Sequence, residues 1–271
     1  MKITIIGAGA FGSALGAVAK TNGHEVSFYD PQLFTTTLAE ALGNSAAIII
    51  AIPSQFVAET IEKLTNFAMR PIIIASKGLF ADDINLRDNV SALAGAGFAD
   101  ELESQTPTIL TASNEISRQI FANNFIKVEL TADTAAILAC GALKNIFAIG
   151  AGMLNLNPKS NRFANYIQTA FREENLALQK LELDQTVANL SCGLADLIMT
   201  CASQISRNYT FGADFAKDPN YQTDETTEGL MALNNLPAKL DDLPILITIR
   251  EILARKAEIP ELERIIFANL D

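Results

Sequence analysis

Short apolar runs alternate with helical patterns in the first half of the chain. Lys2–Ile6 and Glu25–Tyr29 have the β-branched or alternating pattern of strands, and a helical pattern lies between them. Two further apolar runs, at 46–52 and 71–75, end in small polar residues. Strands that alternate with helices are typical of a parallel, doubly wound sheet. The pattern therefore predicts an α/β domain over residues 1–131.

The pattern is less regular from residue 81 onward. Thr108–Ala112 and Ile126–Leu130 have the pattern of short strands, and the glycine-rich stretch 95–98 has that of a loop. The sequence contains no internal repeat and no low-complexity tract. We therefore expect the sheet domain to continue without a linker to its boundary at residue 131.

Helical patterns replace the strand signal after Asp133. Either Asp133 or Thr134 can cap a long apolar helix that runs to the region of Gly150. Further helices are predicted at 166–181, 194–203 and 244–255. The second half is therefore expected to be an all-α domain over residues 132–271, with a ligand cleft between the two domains.

The charge balance narrows the classes of function. The chain has 271 residues, with 31 Asp or Glu against 20 Lys or Arg, and a net charge of −11. An acidic surface argues against nucleic acid or an anionic membrane as the main partner. His24 is the single histidine, so imidazole catalysis and most zinc sites have little basis and we expect no metal site. Acid–base chemistry is therefore expected from Lys, Asp or Glu.

The cysteines and the longest apolar run indicate where in the cell the protein is expected to be. The three cysteines stand in apolar surroundings without a CxxC pair, which indicates free thiols in a reducing, cytoplasmic compartment. The chain begins directly with a strand pattern, so no secretory signal is expected. The run 135–154 contains Lys144 and Asn145 and is rich in Gly and Ala, which favours a buried helix over a membrane span.

A glycine-rich turn follows the first predicted strand. Gly7, Gly9 and Gly12 form a GxGxxG motif, with Ala10 and Phe11 between the last two glycines. Such glycines allow a tight turn, close approach of the backbone to a pyrophosphate, and close packing of helix on strand. The helix that follows offers amide donors and the positive end of its dipole to the phosphates. These five residues therefore predict a Rossmann-type dinucleotide site.

Asp30 stands at the end of the second predicted strand. A carboxylate at this point can accept hydrogen bonds from the adenosine ribose hydroxyls. Aspartate before Pro31 is also an ordinary turn former, so the local sequence fits both roles. Because the 2′-phosphate of NADP(H) would meet a carboxylate, we expect NAD(H) to be favoured.

The next two predicted strands end in further candidate residues. Pro53 follows the run at 46–52, and Lys77 lies just beyond the run at 71–75. The carboxyl ends of parallel strands share one edge of the sheet, where ligands gather. We therefore expect Pro53 to border the cofactor and Lys77 to face the cofactor or the substrate, although an exposed surface lysine has the same local pattern.

Lys144 and Asn145 are the strongly polar residues in the run 135–154. A buried ammonium without partners costs several kcal/mol, so either Lys144 extends to solvent or a ligand requires a cation there. Three of its helical neighbours, Cys140, Gly141 and Ala148, are small and leave space beside the ammonium. The pattern favours a ligand oxygen next to Lys144.

A second polar group of residues lies in the predicted helix at 194–203 and just after it. Asp196 and Thr200 are four residues apart, so they project from one helical face. Arg207 and Asn208 follow, and an arginine is suited to bidentate recognition of phosphate. Asp196 is also explained by the helix dipole, and Arg207 by simple surface exposure.

Taken together, the motifs resemble the NAD(P)-dependent glycerol-3-phosphate dehydrogenase family. They are GAGAFGSALG, AIPSQ, SKGL, GALKNIFAIGAG, GLADLIMTC, SRNYTFG and TTEGL, and they occur in the family's order across nearly the whole chain. The resemblance implies a Rossmann-type domain and a helical domain, and the interconversion of dihydroxyacetone phosphate and glycerol 3-phosphate. It implies a small phosphorylated substrate and leaves a homodimer open.

The resemblance also implies roles for individual residues. It makes Lys144 the catalytic acid/base, with Asp196 and Lys77 at the reacting centre, and it makes Lys77 and Glu228 contacts to the cofactor. The substrate contacts that it implies are Lys77, Asn145, Asp196, Thr200, Arg207 and Asn208.

The sequence departs from the family's pattern in several places. Ala96 and Gly97 stand where Pro and a hydroxyl residue are usual, Leu138 replaces a glutamate, and the segment 157–170 lacks the usual glycine-rich stretch. These changes leave two alternatives open. One is a hydroxyacid or ketopantoate-type dehydrogenase, and the other is a nucleotide-binding homologue that has lost turnover.

Overall fold

A mixed sheet forms the N-terminal half of the computed structural model, which describes residues 1–67, 69–78, 80, 84, 86–223 and 227–268. Leu79 and Thr226, from the SKGL and TTEGL motifs, lie outside the described residues. Within them, the strands are β1 (Lys2–Ile6), β2 (Glu25–Tyr29), β3 (Ala47–Ile50), β4 (Ile72–Ile74), β5 (Val90–Gly95), β6 (Thr108–Ala112) and β7 (Ile126–Leu130). The helices beside them are α1 (Ala10–Thr21), α2 (Leu38–Leu42), α3 (Val57–Lys63), α4 (Ala99–Glu103) and α5 (Glu115–Phe121).

The strand order is β2-β1-β3-β4-β5-β6-β7, which confirms the expected doubly wound arrangement. Neighbouring strands are parallel except β5 and β6, which pair antiparallel with Gly95 opposite Leu110. The sheet is therefore mostly parallel, with one antiparallel junction in the part of the chain where the sequence pattern is less regular. Only the short helix α4 separates the two strands in sequence, and a parallel pair needs a longer crossover.

The sheet is covered on both faces, as its continuous apolar strands require. Ile3 and Ile5 pack on one face with α1, while Ile48 and Ile50 pack on the other in a cluster that includes α6. All four isoleucines are fully buried. The second cluster extends from the sheet into the C-terminal helices, so the helices complete the core of the sheet.

Helices make up the C-terminal half of the described chain. They are α6 (Thr134–Met153), α7 (Asn161–Lys180), α8 (Asp196–Ala202), α9 (Arg207–Lys217), α10 (Glu228–Asn234), α11 (Pro244–Leu253) and α12 (Ile259–Ala268). A π-helical turn, Ser191–Ala195, precedes α8. Because sheet and helices share one apolar cluster, the proposed domain boundary at 131 and 132 stays a prediction.

The long helix α6 is the centre of the fold. Asp133 caps it, since its Oδ1 accepts from the amide of Ala136 at 2.9 Å, and every residue from 136 to 153 is buried. Gly152 and Gly212 lie where a side chain would collide with the backbone of the facing helix, so α6 and α9 approach closely. Among the described helices, α6 is long and apolar enough to cross a membrane, but its burial is typical of a core helix.

Several boundaries differ from the expectations. The strands predicted at 46–52 and 71–75 are shorter, because their outer residues lead into turns, and β5 was not predicted. The helix expected at 166–181 begins at Asn161, where Ser160 caps it. The helix expected at 194–203 is divided between the π-helical turn and α8, and the one expected at 244–255 ends at Leu253.

Candidate active site

Lys144 lies in the middle of α6 and does not extend to solvent, since it is 2% exposed. Its Nζ donates to Oδ1 of Asp196 at 2.5 Å and to Oγ1 of Thr200 at 3.0 Å. Thr200 donates in turn to the carbonyl of Asp196 at 2.6 Å. A Cβ on Gly141, one turn before Lys144, would meet no atom within 4 Å. The ammonium is therefore held by two partners and has open space on this side of the helix.

Lys77 connects this pair to the glycine-rich turn. Its Nζ lies 3.5 Å from Oδ2 of Asp196 and 5.3 Å from the centre of the Phe11 ring. Asp196 is fully buried, whereas 22% of the Lys77 side chain is exposed. The carboxyl end of β4 thus brings a second cation to the buried carboxylate. The structure therefore joins residues from the glycine-rich turn, the sheet edge, α6 and α8 in one cluster.

Burial and neighbouring charges adjust the acidity of Lys144. Desolvation lowers its pKa, Asp196 raises it, and Lys77 lowers it, so that the pKa of Lys144 falls to about 7. A group with such a pKa can both donate and accept a proton near neutral pH. The arrangement is therefore suited to reversible proton transfer at an oxygen placed beside the ammonium.

Glu174 is a buried acid near this cluster that sequence reasoning missed. It lies in α7, is fully buried, and neither carboxyl oxygen has a hydrogen-bond partner among the described residues. Burial raises the pKa of Glu174 well above its usual range; Cys192 and Asp196 raise it further, and Lys144 opposes them. Burial therefore favours the protonated form of Glu174. Its neighbour Glu173 instead accepts from two amides of α11, and only tertiary packing distinguishes the two.

The glycine-rich turn has the geometry that a dinucleotide requires. Gly7 has a φ of +101°, and its amide donates to the carbonyl of Tyr29 at 2.8 Å. A side chain on Gly12 would collide with the carbonyl of Gly7. No side chain caps the N-terminus of α1, and a Cβ on Gly9 would meet no atom within 4 Å. Ala10 and Phe11 begin α1 beside this open cradle, which fits a pyrophosphate.

Asp30 is fastened to the glycine-rich turn. Its Oδ2 accepts from the amide of Ala8 at 3.0 Å, and its Oδ1 accepts from the amide of Gln32 at 3.0 Å. The second bond is that of an ordinary Asx-type turn, so the turn-forming role is real. The first bond places the carboxylate beside the cradle, where it has further lone pairs for ribose hydroxyls.

Glu228 lies at the edge of the sheet although it belongs to α10. Its Oε1 accepts from the amide of Ser54 at 3.3 Å, its Oε2 accepts from the hydroxyl of Ser54, and its side chain packs against Gly78. Burial raises the pKa of Glu228, whereas the bonds from Ser54 and the charge of Arg207 lower it. Pro53 precedes the turn that presents Ser54. Sequence reasoning placed Ser54 with Pro53 at this edge of the sheet but gave it no specific role; its signal is a hydroxyl directly after a proline that ends an apolar run.

Asn145 and Asn208 are bonded to each other. The Nδ2 of Asn208 donates to Oδ1 of Asn145 at 2.9 Å, and Oδ1 of Asn208 accepts from the amide of Gly229 at 2.8 Å. Nδ2 of Asn145 donates to the carbonyl of Gly141 at 3.0 Å. The two amides therefore tie α6, α9 and α10 together beside Lys144. Their expected contacts to the substrate stay predictions.

Arg207 begins α9 and is exposed. It borders a cavity of about 140 Å³ that is lined by Ile205, Arg207, Thr210, Phe211, Tyr221, Thr223 and Thr227. A guanidinium among threonine and tyrosine hydroxyls is suited to an anionic group. Among the described residues, no group of three or more His, Cys, Asp or Glu side chains could hold a metal ion.

Comparison with known proteins identifies the family of this chain. Residues 32–119 match the family model for the N-terminus of NAD-dependent glycerol-3-phosphate dehydrogenase, and residues 133–263 match the model for its C-terminus. The chain is 31% identical to the glycerol-3-phosphate dehydrogenase [NAD(P)+] of Aster yellows witches'-broom phytoplasma over 91% of this chain and 89% of that protein.

Solved structures show the same fold. The glycerol-3-phosphate dehydrogenase of Coxiella burnetii superposes with a TM-score of 0.80 at 22% identity and covers 98% of both chains. DsGPDH of Dunaliella salina superposes with a TM-score of 0.81 at 19% identity, and the match covers 97% of this chain but 60% of that one. The chain belongs to the NAD-dependent glycerol-3-phosphate dehydrogenase family of oxidoreductases.

Proposed function

We propose that this enzyme interconverts dihydroxyacetone phosphate and glycerol 3-phosphate with a nicotinamide cofactor. The observation that carries the proposal is the buried Lys144–Asp196 pair, which Lys77 connects to the glycine-rich turn. This geometry supports an acid/base role for Lys144 next to the edge of the sheet where such folds bind dinucleotides. The family membership supports the same reaction.

The chain's own residues supply the proton and the orientation. When bound, NADH supplies the hydride to the carbonyl carbon of the ketone. As negative charge develops on the carbonyl oxygen, Lys144 donates a proton from Nζ to that oxygen, and in alcohol oxidation it takes the proton back. Asp196 and Thr200 hold Nζ in place, and Lys77 adds positive charge near the developing alkoxide.

The substrate phosphate is assigned to Arg207. The guanidinium stands at an open cavity with hydroxyl groups, and charge-assisted bonds from it anchor the phosphate at a distance from the reacting carbon. Such an anchor holds the carbonyl in position for reaction. Asn145 and Asn208 complete the proposed contacts, with Asn208 also fixing the start of α9 beside Lys144.

NAD(H) is proposed as the preferred cofactor because Asp30 lies beside the cradle and residues 31–37 contain no Lys or Arg to receive a 2′-phosphate. Gly7, Gly9, Ala10, Phe11 and Gly12 hold the pyrophosphate in this proposal, with Pro53, Lys77 and Glu228 at the nicotinamide end. Fluorescence titration compares NADH with NADPH; equal or tighter binding of NADPH contradicts the role of Asp30. We also propose a cytoplasmic location, which the three buried free thiols support.

Steady-state oxidation of NADH separates the proposed function from its alternatives. We expect turnover with dihydroxyacetone phosphate and none with ketopantoate or another 2-keto acid. Turnover with a keto acid alone identifies a dehydrogenase of the hydroxyacid type. Binding of NADH without turnover on either class identifies a nucleotide-binding homologue and contradicts the proposal.

A further inference from the structure

The π-helical turn Ser191–Ala195 immediately precedes Asp196. Gly193 within it has φ −95° and ψ −106°, outside the helical region, and a Cβ there would collide with the backbone of Ala188. Single π-turns within helices are frequent at functional sites. Here the turn sets the direction of the next side chain, which is Asp196, the partner of Lys144.

Hydrogen bonds fasten this turn to the antiparallel end of the sheet. Oγ of Ser191 donates to the carbonyl of Ile109 at 2.5 Å and accepts from the amide of Ala96 at 3.2 Å. The amide of Ser191 donates to Oε2 of Glu129 at 3.3 Å. One serine therefore links the turn to β6, to β7 and to the residue that follows β5.

Thr111 makes a fully buried contact with the same turn. It lies in β6, is 0% exposed, and its Oγ1 accepts from the amide of Cys192 at 3.1 Å. Cys192 is also fully buried, so water cannot replace the hydroxyl. A buried amide that loses its acceptor is destabilised, and the turn must shift to find another partner.

We propose that Thr111 and Ser191 are positioning residues that aim Asp196 at Lys144. The proposal rests on the proposed function of that pair in proton transfer. Neither residue touches the pair; both act through the π-helical turn. The antiparallel pairing of β5 with β6 contributes to this positioning, because it brings the end of β5 and the side chain of Thr111 next to the π-helical turn.

A shift of the π-helical turn is expected to change the pKa of Lys144. A purely structural role of Thr111 and Ser191 would leave that pKa unchanged. Asp196 raises the pKa of Lys144, while burial and Lys77 lower it. Glu174 on α7 and Cys201 on α8 also interact with Lys144 electrostatically. When Asp196 moves away, the pKa of Lys144 therefore falls. Ketone reduction requires the protonated lysine, so the activity is then lost at a lower pH than in the wild type.

The test compares Thr111→Val, which removes the hydroxyl, with Thr111→Ser, which keeps it. The matched control is Thr4→Val. Thr4 lies in β1, is also 0% exposed, and donates to the carbonyl of Ala41 at 2.8 Å, away from the turn. Three quantities are measured in each variant: kcat with dihydroxyacetone phosphate, NADH affinity by fluorescence, and the pKa of Lys144 by side-chain NMR in the cofactor-free protein. The Lys144 signal is identified by its absence in Lys144→Met.

We expect Thr111→Val to lower kcat by about tenfold to a hundredfold, to keep NADH affinity, and to lower the pKa of Lys144. Thr111→Ser restores both values, and Thr4→Val lowers stability alone. Equal behaviour of the two valine variants, or an unchanged pKa of Lys144 in Thr111→Val, overturns the proposal. If Thr111→Val does not fold, Ser191→Ala makes the same comparison. A wild type inactive on this ketone contradicts the proposed function, while the NMR readout still decides the positioning role.

Discussion

Lys77 lies near both the glycine-rich turn and the Lys144 cluster, and these two regions are built by different means. The turn offers backbone amides, and its specificity depends on side chains that are absent at Gly7, Gly9 and Gly12. The cluster offers charged side chains that are buried and bonded to each other. A site made of backbone is damaged by an added Cβ, whereas a site made of buried charges is damaged by the loss of one partner.

Lys144→Met is the variant with the largest expected effect on the Lys144 cluster. Turnover of dihydroxyacetone phosphate is expected to fall by about 10²–10⁴-fold, because the proton donor is lost while the glycine-rich turn still binds NADH. Stability is also expected to fall by about 3 kcal/mol, since Lys77 is then the one charged partner left to Asp196 among the described residues. Adding Asp196→Asn is expected to recover stability without activity. Near wild-type turnover by folded Lys144→Met contradicts the catalytic role.

Arg207→Ala tests the phosphate anchor. Loss of a charge-assisted contact is expected to cost about 2–5 kcal/mol in kcat/KM, with NADH affinity nearly unchanged. Lys217→Ala is the matched control, because Lys217 is an exposed cation at the other end of α9. A variant that loses NADH affinity and keeps normal substrate kinetics shows that the phosphate binds elsewhere.

Gly9→Ala tests the other region, the glycine-rich turn. The fold is expected to stay intact, since a Cβ at this position meets no protein atom within 4 Å. A pyrophosphate needs the same space, so NADH affinity is expected to fall by about tenfold, or about 1.4 kcal/mol. The melting temperature and the NADH titration are measured together. An unchanged affinity places the pyrophosphate away from the cradle.

The adjacent buried acids Glu173 and Glu174 provide a test with a smaller expected effect on stability. Glu174→Met removes a carboxyl group without hydrogen-bond partners among the described residues, so the free energy of unfolding is expected to rise by about 1 kcal/mol. Glu173→Met is expected to lower it, because the amides of Ile245 and Leu246 lose their acceptor. Urea denaturation measures both. Equal signs contradict the assignment of Glu174 as an unpartnered acid.

The features that could be predicted from the sequence are those that depend on short, contiguous patterns of residues. The glycine-rich turn, the strands β6 and β7 and the capped helix α6 each follow from local spacing, and the buried Lys144 follows from its apolar surroundings. These features are local because their hydrogen bonds or periodicity fall within a few residues.

Contacts between residues that are far apart in the chain could not be predicted from the sequence. The bond between Asn145 and Asn208 joins two helices, and the antiparallel register of β5 on β6 depends on how the chain turns after Gly95. The π-helical turn depends on a backbone conformation at Gly193 that helical periodicity does not contain. The selection of Glu174 over Glu173 for the unpartnered position depends on which helices pack against α7.

The pH dependence of kcat/KM for ketone reduction tests the central claim most directly, because it reports the acid form of the free enzyme. The pKa of Lys144 is lowered to about 7, and Lys144 must be protonated to donate. Reduction is therefore expected to be fastest below this pKa and to fall as the pH rises through it, while alcohol oxidation shows the opposite trend. The inflection is expected to move to lower pH in Asp196→Asn. A reduction rate that stays level through neutral pH, or an inflection retained in Lys144→Met, contradicts the assignment of Lys144 as the acid.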